Sequence, residues 1–134
     1  MEEEVKKEVE KIIKFYALSC SVEEFRNTAN WRNVSLAATF SEDFAREFRD
    51  NIIWGTIIFD DFSEVFLTEF KNKVCWGRLV GYRNDLSENF IYNMREEMGE
   101  HCFKYCLQEG MITKEYIKKR SVKVDRYKIM DFDD

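Results

Sequence analysis

The chain repeats a phrase. Trp31, Trp54 and Trp76 are each followed three residues later by a branched aliphatic, Val34, Ile57 and Leu79. The words "SEDF" and "SEVF" precede the second and third tryptophans. A unit of about 22 residues is too short to bury an apolar ridge alone, and does so by stacking on its neighbours.

The apolar spacing says what each unit is. Phe44, Phe48 and Ile52 stand four residues apart, as do Phe66, Phe70 and Val74, and Phe90, Met94 and Met98. Four residues is slightly more than one helical turn, so each trio forms a ridge on one helix face. Ser41, Ser63, Ser87 and Thr113 precede these ridges at N-cap positions, and Glu42, Glu64 and Glu88 follow the serines, where negative charge suits a helix N-terminus. Each unit reads as a capped helix of roughly ten residues, a break near "RDN" or "KNK", and a second short helix carrying the tryptophan. The first unit lacks the Ser-Glu cap, but Phe25 and Trp31 match Phe48 and Trp54 in separation.

Cap spacing grows along the chain, 22, then 24, then 26 residues from Ser41 to Ser63, Ser87 and Thr113. In the last unit the tryptophan slot falls on or beside Glu100, and Phe103 takes the aliphatic slot. Ahead of the repeats, Val5, Val9, Ile12, Ile13 and Tyr16 mark an amphipathic first helix, with Glu2–Lys6, Glu3–Lys7 and Glu10–Lys14 as i,i+4 pairs. The expected fold is all-α: one compact domain of stacked helix-turn-helix repeats of about 22–26 residues. Residues 1–20 form the N-terminal helix, 21–120 the repeats and 121–134 a charged C-terminal segment.

The words "SEDFAREFRDNIIW" and "SEVFLTEFKNKVCW" resemble a short Trp- and Phe-containing tandem helical repeat of bacteriophages, giant viruses and some bacteria. The resemblance spans about residues 25–118 and is close over 41–82. It implies a scaffold without enzymatic activity and a viral or mobile-element origin. The lost tryptophan of the final unit and the truncated first helix depart from that family's pattern, and imply a closed domain instead of a long array.

Composition agrees with long helical ridges and excludes several classes. Twelve Phe, six Tyr and three Trp occur among 134 residues with no proline and five glycines. Regular helices are favoured, and Gly-rich phosphate loops are not. Net charge is −5, from 26 acids and 21 bases, so the chain as a whole lacks the basic field of a generic nucleic-acid binder. The longest central run without charge, "NIIWGTIIF", is too short to span a bilayer, and "MEEEVKKEVEK" resembles no signal peptide. The expectation is a cytoplasmic protein with Cys20, Cys75, Cys102 and Cys106 reduced.

Candidate chemistry is sparse. "EHCFKYC" places His101, Cys102 and Cys106 together, but a structural zinc site needs four ligands, usually with a closer cysteine pair. His101 is the only histidine, and its neighbouring cysteines point around the helix away from it. Glu97 and His101 miss the Glu-x-x-His spacing of di-metal carboxylate sites by one residue. No catalytic residue, metal or cofactor is expected. The tryptophans read as core anchors between helix pairs.

The expected function is non-enzymatic binding of another macromolecule. An acidic surface of Asp60, Asp61, Asp85, Glu96, Glu97 and Glu100 suits a basic protein partner, such as a host nucleoprotein or nuclease. With the viral resemblance, this gives an inhibitor of host defence of the anti-CRISPR kind. The alternative is a nucleic-acid contact through residues 117–128, using Lys118, Lys119, Arg120, Lys123, Arg126 and Lys128.

Overall fold

The structure is a computed structural model that describes residues 1–37, 40–57 and 61–124, with the backbone alone at Ala37 and 122–124. Every regular element among these residues is helical. The elements are α1 (Glu3–Phe15), α2 (Phe25–Thr28), α3 (Trp31–Ala37), α4 (Glu42–Glu47), a 3-10 turn at Trp54–Thr56, α5 (Glu64–Glu69), α6 (Trp76–Tyr82), α7 (Glu88–Asn93), α8 (Arg95–Gln108) and α9 (Lys114–Val124). They fall into two compact units, Met1–Phe62 and Ser63–Asp134.

The serine caps form as expected. The hydroxyls of Ser41, Ser63 and Ser87 accept from the backbone N–H of Phe44, Phe66 and Phe90, each at 3.1 Å. Each capped helix is six residues long, shorter than the roughly ten predicted. The indole Nε1 of Trp31, Trp54 and Trp76 donates to the carbonyl five residues back, on Arg26, Arg49 and Lys71, at 2.9, 2.9 and 3.1 Å. A carbonyl left without a helical partner is satisfied by the side chain of the following element. Where Glu100 replaces tryptophan there is no such donor. There α8 runs from Arg95 to Gln108 and is interrupted at Gly99, whose φ of 85° and ψ of 163° are open almost only to glycine.

The ridges are the core. Phe25, Phe44, Phe48 and Phe66 are fully buried, as are Ile57, Leu67, Leu79 and Ile91 to within 1%. In the first unit Trp31 lies 5.2 Å from Phe48 and Phe25 5.4 Å from both, centroid to centroid. In the second, Trp76 lies 5.8 Å from Phe90 of the following ridge. Trp31 and Trp76 therefore pack onto the next repeat, each buried aromatic contributing about 1.5–3 kcal/mol by area.

The glutamates after the caps do more than favour their own helix N-terminus. Both carboxylate oxygens of Glu64 accept from Ser87, one from its backbone N–H at 2.7 Å and one from its hydroxyl at 2.8 Å. Glu88 Oε2 accepts from the N–H and hydroxyl of Thr113 at 2.9 and 3.1 Å. A glutamate in one repeat thus staples the cap of the next. In the first unit Glu8 of α1 plays the part, accepting from the Ser41 N–H at 2.8 Å and from its hydroxyl. In α9 Lys114 stands in the glutamate's place, and an ammonium only donates.

The first helix is as predicted on its inner face, with Val5 and Val9 buried, and α1 packs on α4. Its ion pairs are i,i+3, Glu3–Lys6 at 3.7 Å and Glu4–Lys7 at 3.5 Å, where i,i+4 pairs were expected. Both spacings lie on one helix face, and exposed pairs hold either weakly.

Candidate functional site

The predicted acidic residues divide by unit and by pairing. Asp60 lies outside the described residues. Asp61 is exposed in the first unit. The other four belong to the second unit, and three are bound to bases of their own chain. Asp85 forms a two-pronged pair with Arg83, Nε to Oδ1 at 2.9 Å and Nη2 to Oδ2 at 3.0 Å. The Arg83 hydrogen bond holds the Asp85 carboxyl below its ordinary value, against a small opposing effect of burial. Glu97 reaches Lys71 at 3.4 Å, and Glu100 reaches Lys104 at 3.6 Å. Asp61 and Glu96 form no ion pair among the described residues.

One of these pairs follows the repeat. Glu97 occupies the register position held two interfaces earlier by Asn51. Lys71 reaches the first as Arg26 reaches the second, at 2.8 Å. Arg26 also pairs with Glu47 at 2.7 Å and lies 4.5 Å above the Phe48 ring. Sequence reasoning missed this bridge. Its signal was present, a base directly after Phe25, Phe48 and Phe70, but its meaning needs the distance between successive repeats.

The basic candidates also separate. Lys118 and Lys119 are exposed on α9. Lys123 lies on α9, and Arg126 and Lys128 fall outside the described residues. Arg120 turns inward: its Nη1 donates to Asn89 Oδ1 and to the Tyr116 hydroxyl, at 2.5 and 2.9 Å, and its Nη2 to Asn93 Oδ1 at 3.0 Å. In repeat register Tyr116 and Arg120 replace the two ridge phenylalanines, so the outer ridge of α9 is partly polar.

Cys102 and Cys106 offer little nucleophilic chemistry. Cys106 is fully buried, and desolvation is the main force pushing its thiol up to about 11. Its S–H donates to the Cys102 sulfur, and Cys102 is itself raised, chiefly by burial. A protonated thiol is a poor nucleophile and a poor metal ligand at neutral pH. No group of three His, Cys, Asp or Glu suited to a metal ion occurs among the described residues. No buried side-chain nitrogen or oxygen among them lacks a partner. The buried hydroxyl of Ser35, for example, accepts from the Ile53 N–H at 2.9 Å.

Among the described residues no helix is long and apolar enough to cross a membrane. Comparison with family models, curated proteins and solved structures returned no match.

Proposed function

We propose that this chain is a non-enzymatic binding protein whose acidic surface docks onto a basic macromolecular partner. The observation that carries the reading is the contrast between a satisfied interior and the exposed Asp61 and Glu96, which form no ion pair among the described residues. Ridges, caps and tryptophans are engaged within each unit, so recognition falls to the outward residues. Charges not already paired intramolecularly give the larger electrostatic gain with a partner. In its sharpest form, which rests on the resemblance to viral repeats, the partner is a basic host nucleoprotein or nuclease and the protein inhibits host defence in the anti-CRISPR manner.

The second reading, nucleic-acid contact through the C-terminal bases, draws on the exposed Lys118 and Lys119. One experiment separates the two. The tagged protein is isolated from its natural cell with and without nuclease treatment, and its companions are identified by mass spectrometry. The protein-binding reading predicts a basic protein companion that survives nuclease. A companion lost on nuclease treatment supports the nucleic-acid reading, and no companion at all contradicts both.

A further inference from the structure

Two arginines of the second unit crowd one tyrosine without a carboxylate between them. The guanidinium carbon of Arg95 lies 4.0 Å from the Tyr92 ring centroid and that of Arg120 lies 4.5 Å from it. The two cations are therefore no farther apart than about twice that distance. Neither forms an ion pair among the described residues. Their partners are neutral oxygens: Arg95 Nη1 donates to the Tyr92 carbonyl at 2.6 Å, and Arg120 donates to two asparagine side chains and a tyrosine hydroxyl. Neutral acceptors orient a guanidinium without cancelling its charge, and five N–H groups on each leave donors over.

The repeat register shows why the charge is uncompensated. At two of the three earlier interfaces the base at this position finds Asn51 or Glu97 in the following repeat, and at the other Lys73 stands in register with Arg49. For Arg95 the corresponding position of α9 is Lys123, a third base. The neighbouring acids do not fill the gap. Glu88 accepts from Thr113, Glu97 is bound to Lys71, and Glu96 forms no ion pair among the described residues.

We propose that Arg95 and Arg120, around the Tyr92 ring, form a binding site for a phosphate group. Phosphate is the chemistry that suits it, because a guanidinium fork matches two oxygens of the group and stacking on an aromatic ring fixes the fork in place. The group is carried either by a small phosphate compound or by a polynucleotide backbone. The site does not depend on the acidic-surface reading, which tests Asp61 and Glu96 instead.

The test is calorimetric titration of the full chain with inorganic phosphate, at constant ionic strength against chloride. Saturable binding is expected. Arg95→Gln should weaken it about tenfold, the worth of one charge-assisted contact. That side chain is exposed and hydrogen-bonds only the Tyr92 carbonyl three residues back, so the variant folds. The double variant Lys118→Gln, Lys119→Gln should bind as the parent does. A thymidylate octamer then identifies the source: competition with phosphate assigns the site to a polynucleotide backbone, and failure to compete assigns it to a small phosphate compound. No heat beyond the chloride reference overturns the proposal. So does equal loss in the Lys118, Lys119 variant and in Arg95→Gln, because a diffuse basic face would then explain the binding.

Discussion

Ala17 is the one non-glycine residue with positive φ among those described, at 53°. It closes α1 in a Schellman turn, with the Leu18 N–H on the Ile13 carbonyl at 2.9 Å and the Ala17 N–H on that of Lys14 at 3.2 Å. The left-handed conformation costs an alanine about 1–2 kcal/mol, partly offset in glycine by greater chain entropy. Ala17→Gly should therefore raise the stability of α1 by about 0.5–1 kcal/mol in urea unfolding. Cys106 supplies a pH dependence. Its folded pKa, about 11, lies above the ordinary 9.0, so its contribution is complete below pH 9. That contribution is lost as pH rises toward 11, because the unfolded chain releases the proton first. Thermal melts at pH 8 and 10.5 should show a larger loss in the parent than in Cys106→Ala.

At the scale of elements, the glutamate staples decide how one repeat holds the next. Glu88→Ala removes two acceptor contacts from the Thr113 cap and should destabilise the chain by about 1–2 kcal/mol, a value lowered by the site's exposure. Thr113→Val removes the hydroxyl, and a double-mutant cycle with Glu88→Ala should give a coupling above about 0.5 kcal/mol. Additive losses would mean that Glu88 acts on its own helix alone. The ridges and serine caps were legible in the sequence because they are set by spacing within one helix. The staples were not, since Glu64 and Glu88 look like ordinary first-turn acids until the next cap is seen beside them. Arg120 misled for a similar reason. In a run of bases it looks solvated, and only Asn89, Asn93 and Tyr116, more than a turn or a whole repeat away, show it turned inward. The short helices were missed because the apolar spacing continues past the stop, which comes after six residues even in α7, where no tryptophan follows.

Across the whole molecule, the proposed recognition rests on the charges that remain outward. The acidic candidates were readable as residue types, but their pairing was not. Glu100 pairs with Lys104 at i,i+4 and Asp85 with Arg83 two residues away, but Glu97 is drawn to Lys71 by a contact between repeats that the linear order does not show. Exposed pairs of this kind contribute about 0–1 kcal/mol, so they stabilise little while muting the field a partner meets. The proposed docking of a basic partner thus falls to Asp61 and Glu96. Its most direct test is the affinity of Asp61→Lys, Glu96→Lys for the captured protein partner, measured beside its thermal melt. The account predicts binding weakened at least tenfold, more so at low salt, with an unchanged melting temperature. Parental affinity in a folded double variant would contradict it.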